Sequence, residues 1–93
     1  MRRIVWTDEA SGNLENIRRY ILQFNPGAAA HLAGRIVRAA ESLVQFPHRG
    51  RPIGGGMRQL PLIYPYLIRY RVVGETVFIT GVRHGARHDD EAS

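Results

Sequence analysis

The feature that most constrains this fold is a repeat of apolar residues near the start of the chain. The steps between them alternate between four and three, at Ala10, Leu14, Ile17, Ile21 and Phe24. This spacing gives one apolar face to a helix of 3.6 residues per turn. Thr7 or Asp8 can cap the helix, and the acidic pair Asp8 and Glu9 suits its positive N-terminal end.

A second helix is predicted directly after the first. Asn25 can cap its start, and Pro26 suits the first helical position. Its inward side is again apolar, with Ala29, Leu32, Ala33, Ile36, Ala40 and Leu43. The helix is expected to end at Phe46-Pro47. Two helices joined so tightly predict an antiparallel helical hairpin over residues 8–47.

Strands are predicted on both sides of this hairpin. Residues 1–7 form a short strand with Ile4 and Trp6 on one face, and residues 57–84 form three strands. The last two of these are joined by a Gly74-Glu75 turn. That turn gives an apolar face with Ile68, Tyr70, Val77 and Ile79, on which we expect the helices to pack. The opposite face pairs Arg69 with Thr80 and Arg71 with Phe78.

The resulting order is strand, helix, helix, three strands. It predicts a single α+β domain over residues 1–93, with the helical hairpin packed on a small, mainly antiparallel sheet. The segment from His48 to Gly56 is expected to be a loop, and residues 88–93 a frayed polar tail.

Composition excludes several classes of protein. The chain has no cysteine, which excludes disulfides and thiolate metal sites. No apolar run approaches the roughly 20 residues of a membrane span, and the N-terminus turns polar too soon for a signal peptide. We therefore expect a cytoplasmic protein without a membrane partner.

The charge points to an anionic partner. The net charge is +5, and the chain has thirteen arginines and no lysine. The planar guanidinium group of arginine forms paired hydrogen bonds with carboxylates and phosphates. The partner is expected to be a nucleic acid or an acidic protein segment. The candidate anion-binding residues follow the helices: Arg49, Arg51, Arg58, Arg69, Arg71, Arg83 and Arg87. The alternative is a solvated basic face without a ligand.

The histidines offer one candidate for acid–base chemistry. His84 and His88 are four residues apart but follow a strand and lack a third ligand, so neither a metal nor another cofactor is expected. His84 next to Arg83 and Arg87 could act as a general acid, because cations stabilise developing phosphate charge. The alternative is a structural or solvent-facing histidine.

Taken in order, these residues resemble the ParE/RelE superfamily of bacterial type II toxin–antitoxin toxins. The resemblance covers about residues 3 to 88 and the segments Trp6-Thr7-Asp8-Glu9-Ala10, Asn25-Pro26, Phe46-Pro47, Gly50-Arg51, Met57-Arg58-Gln59-Leu60, Pro65-Tyr66-Leu67-Ile68-Arg69-Tyr70-Arg71-Val72 and Val82-Arg83-His84-Gly85-Ala86-Arg87. Their order and spacing carry the resemblance together. It implies the same strand–helix–helix–three-strand fold.

The resemblance also implies two competing activities. RelE-like members cut mRNA on the ribosome with basic residues of the sheet and an acid or base, usually tyrosine, near the C-terminus. Arg58 and Arg83 look like two arginines of that set, and Arg49 and Arg51 lie near the family's lysines. A RelE-like catalytic set would therefore consist of Arg58, Arg83 and His84.

One departure favours the other branch. No tyrosine follows Arg87, which leaves His84 or His88 as the donor for the leaving group. The Phe-Pro, Gly-Arg, Pro-Tyr and His-Gly-Ala-Arg pattern is similar to ParE-like members, which inhibit DNA gyrase. The resemblance thus implies a non-catalytic gyrase inhibitor of the plasmid-stabilization type, held in a hetero-oligomer by an acidic, ParD-like antitoxin. A ribosome-dependent mRNA endoribonuclease and a plain nucleic-acid-binding module remain the alternatives.

Overall fold

Two side-chain caps determine where the helices begin. In the computed structural model, which describes residues 2–62 and 65–85, Thr7 Oγ1 accepts the Ala10 amide at 3.1 Å and starts helix α1 (Asp8–Leu22). Asn25 Oδ1 accepts the Ala28 amide at 3.0 Å and starts helix α2 (Pro26–Glu41). The predicted caps and the predicted helical hairpin are therefore confirmed.

The strands of the described ranges form one five-stranded sheet. They are β1 (Arg3–Trp6), β2 (Arg51–Gly54), β3 (Met57–Pro61), β4 (Tyr66–Val73) and β5 (Thr76–His84). Their order across the sheet is β1-β5-β4-β3-β2. β1 runs parallel to β5, and all other neighbours are antiparallel. The α+β class and the mainly antiparallel sheet are confirmed.

The core lies between the helical hairpin and one face of the sheet. Ile68, Tyr70, Val77 and Ile79 are fully buried there, with Ile36 from α2. Burying each large apolar side chain contributes about 1.5–3 kcal/mol. The packing face predicted from the strand register is therefore confirmed.

The predicted partner of Arg69 is wrong by one residue. Arg69 pairs with Gly81, because Thr80 is the extra residue of a β-bulge in β5. Beyond the bulge, the Val82 amide donates to Asn13 Oδ1 of α1 at 3.1 Å. The pairing of β1 with β5 ends at Trp6 and Ile79, so helix α1 supplies an acceptor for β5 past the end of β1.

Three further details differ from the predictions. The segment expected to be a loop contains the short edge strand β2, whose pairing to β3 is irregular between Pro52 and Gly54. Helix α2 ends at Glu41 and is followed by a 3₁₀ turn (Ser42–Val44). Phe24 is 72% exposed because α1 ends at Leu22, before the apolar repeat does. The tail predicted to fray lies outside the described residues.

Candidate functional site

The strand register divides the candidate arginines between the two faces of the sheet. Side chains that oppose each other in neighbouring strands share a face. Arg51 opposes Gln59, which in turn opposes Arg69, and this row faces away from the helices. Arg71 lies two residues from Arg69 along β4, so it is on the same open face. Arg83 opposes Leu67, which also lies two residues from Arg69, and therefore shares that face.

The open arginine face is formed by Arg51, Arg69, Arg71 and Arg83, and two of these arginines, Arg51 and Arg69, line a shallow cleft. The cleft has a volume of about 630 Å³ and is lined by Arg51, Ile53, Gln59, Leu67, Arg69 and Gly85. Arg69 Nε donates to Gln59 Oε1 at 3.2 Å, and Arg71 Nη2 donates to the Gly55 carbonyl at 3.3 Å. Both acceptors are neutral, so these contacts orient the guanidinium groups without cancelling their charge.

Acidic residues lie elsewhere in the described structure. None of the five strands contains Asp or Glu. The carboxylate of Glu15 on α1 is bound by Arg18 and Arg19, with oxygen–nitrogen distances of 2.6 and 3.0 Å. Hydrogen bonds from Arg18 and then Arg19 lower the pKa of Glu15 to about 2. Both arginines of α1 are thus paired with a carboxylate, whereas the described strands that carry the open arginine face contain arginines and no carboxylate.

Arg58 does not belong to that face. It opposes Tyr70 in the register and therefore lies on the side of the helices. Its Nη1 donates to the Gly50 carbonyl at 2.6 Å and to the His48 carbonyl at 3.4 Å. The backbone carbonyls thus hold the Arg58 guanidinium on the helix side of the sheet, and its anion-binding role stays a prediction.

Tyr70 fixes the same segment from the core. Its buried hydroxyl donates to the Pro47 carbonyl and accepts the Gly50 amide, each at 2.8 Å. A Cβ on Gly50 would lie 2.7 Å from that hydroxyl and 2.8 Å from the Gln59 carbonyl, so the position requires glycine. Sequence reasoning assigned Tyr70 to the core but missed this role, because nothing in the spacing links residue 70 to residues 47 and 50.

Arg49 also lies away from the open arginine face. Its Nη1 donates to Ser42 Oγ at 2.8 Å, and that hydroxyl donates to the Ala39 carbonyl at 2.6 Å. Arg49 is therefore exposed beside the end of α2. Arg87 and His88 lie outside the described residues.

His84 lies on the helix side of the sheet. It opposes Tyr66, and the two rings meet edge to face with centroids 5.1 Å apart. Asn16, Ile17 and Tyr20 of α1 complete a cleft of about 450 Å³ around them. His84 Nδ1 is buried and has no hydrogen-bond partner among the described residues.

The three residues of the RelE-like set are consequently not brought together. Arg83 projects from the open arginine face, whereas Arg58 and His84 lie on the helix side at β3 and β5. Arg58 opposes Tyr70 and His84 opposes Tyr66, so these two side chains are also separated along the sheet by four residues of β4. The sheet therefore separates the open arginine face from His84, the predicted general acid.

Within the described ranges, no three His, Cys, Asp or Glu side chains are grouped so that they could hold a metal ion. His31 and His48 are both exposed. Neither described helix is long and apolar enough to cross a membrane.

Comparison with known proteins gives the family. Residues 4–89 match the family described as "ParE toxin of type II toxin-antitoxin system, parDE". The match covers nearly the whole chain, so the chain belongs to the ParE family of toxins of type II toxin–antitoxin systems. The resemblance inferred from the sequence is thereby confirmed.

Individual relatives agree with this assignment. The chain is 45% identical over 87 residues to "Toxin RelE2" of Caulobacter vibrioides, which covers 94% of this chain and 99% of the relative. It is 37% identical over 81 residues to "Putative toxin Y4kP" of Sinorhizobium fredii, covering 85% and 84% of the two chains. A structure described as "Chromosomal ParDE TA system from P. aeruginosa" superposes with a TM-score of 0.81 at 27% identity, covering 90% and 96%.

Proposed function

We propose that this toxin acts by binding DNA gyrase and inhibiting it, without catalysing a reaction. The observation that supports this most directly is the separation of Arg83 from Arg58 and His84 by the sheet. A nuclease needs cations and a proton donor around one scissile phosphate. An inhibitor that acts by binding needs only a complementary surface, and the open arginine face offers one to an anionic target.

A second candidate function has a specific observation in its favour. Two relatives from Caulobacter vibrioides are named "Toxin RelE2" and "Toxin RelE1". RelE-like toxins cut mRNA on the ribosome, so this activity is the alternative to be tested. A bare nucleic-acid-binding function is the third candidate, since the open arginine face would also suit phosphates.

The proposed antitoxin is an acidic, ParD-like protein. The neighbouring solved structure is described as a ParDE system, and this chain has the fold of that structure. A basic domain of 93 residues with net charge +5 suits an acidic partner segment that folds on binding. The complex would be a hetero-oligomer in the cytoplasm. Co-elution of the toxin with the product of the neighbouring gene in size-exclusion chromatography is the expected result, and separate elution would contradict the proposal.

Growth arrest with two parallel readouts tests the target. We expect induction of the toxin to block plasmid supercoiling while cellular mRNA stays intact. Rapid mRNA loss with normal supercoiling would instead assign the ribosome-dependent nuclease. Duplex binding with a steep salt dependence and neither cellular effect would assign the nucleic-acid-binding module.

A further inference from the structure

The turn between the 3₁₀ segment and β2 exposes an aromatic side chain. Phe46 is 60% exposed, and it lies among Ser42, Gln45, Pro47, His48 and Arg49 around an open depression of about 610 Å³. We call residues 45–49 the Phe46 turn. It lies on the side of Arg49 and Ser42 and is separate from the open arginine face and from the His84 cleft.

Several hydrogen bonds fix the backbone of the Phe46 turn and of the adjoining Gly50. The buried Tyr70 hydroxyl bonds to the Pro47 carbonyl and the Gly50 amide, and Arg58 bonds to the carbonyls of His48 and Gly50. The Arg49 amide also donates to the Phe46 carbonyl at 3.1 Å. A surface aromatic on a backbone already fixed in this way loses little conformational entropy on binding.

The cationic surroundings of Phe46 indicate which partner it suits. Arg49 is exposed beside it, and Arg2 Nη1 reaches the Val44 carbonyl at 3.5 Å. A partner with an apolar pocket bordered by carboxylates would complement this arrangement. Arg49 and Arg2 supply two cations beside Phe46, which are few for binding a phosphate backbone. The charge therefore favours an acidic protein surface over nucleic acid.

The tip of the helical hairpin provides a comparison. Tyr20 and Phe24 are 61% and 72% exposed there and meet edge to face. No Arg, Asp or Glu occurs between residues 20 and 34, and the preceding Arg18 and Arg19 are paired with Glu15, so this second aromatic patch has less positive charge to complement an acidic partner. Its exposed phenylalanine makes it a matched control for Phe46.

We propose that the Phe46 turn is a docking element for an acidic protein surface containing an apolar pocket. This inference rests on the proposed function, in which that surface belongs to gyrase. Phe46 fills the pocket, and Arg49 and Arg2 face the carboxylates at its border. Aromatic side chains fixed at the centre of a contact commonly carry much of the binding energy.

Binding of the full-length toxin to purified gyrase holoenzyme tests the inference. We expect Phe46→Ala to weaken binding by roughly tenfold or more, as for an interface hot spot. Phe24→Ala should bind gyrase like the natural protein. Arg49→Gln keeps a donor for Ser42 and removes the charge, so it should slow association and reduce its salt dependence. Thermal melts should be unchanged for Phe46→Ala, because its side chain is mostly exposed.

The possible failures are distinguishable. If the natural toxin does not bind gyrase, the proposed function and this inference both fail. If it binds and Phe46→Ala binds equally well, or Phe24→Ala loses as much, the inference alone is overturned. If the natural toxin binds a DNA duplex and Phe46→Ala abolishes that binding, the turn recognises nucleic acid and the protein-docking assignment is wrong.

Discussion

Removal of one hydroxyl group by Tyr70→Phe tests how the turn is held. The substitution keeps the buried ring and deletes the oxygen that joins the Pro47 carbonyl and the Gly50 amide at 2.8 Å each. An unsatisfied buried polar group costs about 1–3 kcal/mol. The substitution removes the acceptor of the buried Gly50 amide and the donor to the Pro47 carbonyl together. We therefore expect the free energy of unfolding to fall by about 2–4 kcal/mol.

Such a loss is large for a domain of this size. Each kcal/mol lowers the melting temperature of a small domain by about 4–8 °C, so we expect a decrease of roughly 10–30 °C. Urea unfolding with an unchanged m-value measures it, and Tyr66→Phe is the matched control from the same strand. The Tyr66 ring meets His84 edge to face and lines the cleft beside α1, whereas the Tyr70 hydroxyl is buried and bonded to the turn. A loss below about 0.5 kcal/mol, or one equal to that of the control, would show that the Tyr70 hydroxyl does not stabilise the turn.

Three other predictions concern the bulge, α1 and the open arginine face. Asn13→Ala leaves the Val82 amide without its acceptor, so urea unfolding should show a loss of about 1–2 kcal/mol, and wild-type stability would contradict it. NMR should show that the Glu15 carboxylate titrates near pH 2. Because this pKa lies below the ordinary value of 4.5, the stabilising contribution of the carboxylate is fully present above pH 4.5 and is lost as the pH falls towards 2. An unshifted titration would show that the ion pair does not form in solution. Arg69→Glu should weaken growth inhibition, because it places a negative charge on the open arginine face. The control Arg38→Glu, on the exposed surface of α2, should leave growth inhibition unchanged. Equal effects of the two substitutions would show that the open arginine face is not the binding surface.

Local patterns account for the elements that the sequence predicted. Thr7 and Asn25 are caps whose side chains act within three residues, and the hairpin register follows from its two-residue turn. The core face follows from alternation along β4 and β5. Each of these features depends on interactions close in sequence, which is why periodicity and capping were sufficient.

Long-range contacts account for most of what the sequence did not predict. The bulge at Thr80 has no local sequence signal, and the nearby hydrogen bond between Asn13 and Val82 joins residues 69 apart in the sequence. The position of Arg58 depends on the register between β3 and β4, which no short turn fixes. Strand β2 has no alternating pattern, since Pro52 and the positive-φ Gly54 interrupt it. The candidate site was therefore predicted as a group of arginines, but their division between two faces was not.

If toxicity is a binding event on gyrase, as we propose, it needs no proton transfer. His84→Gln keeps hydrogen-bonding ability but removes the side chain that could act as a general acid. Loss of a general acid typically costs about 10²–10⁴-fold in rate. A nuclease that depends on His84 would therefore be almost inactive, whereas an inhibitor of gyrase would be little changed.

The most direct measurement is supercoiling of relaxed plasmid by purified gyrase, with mRNA cleavage on translating ribosomes measured from the same preparations. We predict that the natural toxin and His84→Gln inhibit supercoiling to the same extent and leave mRNA intact, and that the cognate antitoxin reverses the inhibition. Unimpaired supercoiling together with ribosomal mRNA cleavage that is lost in His84→Gln would contradict the account.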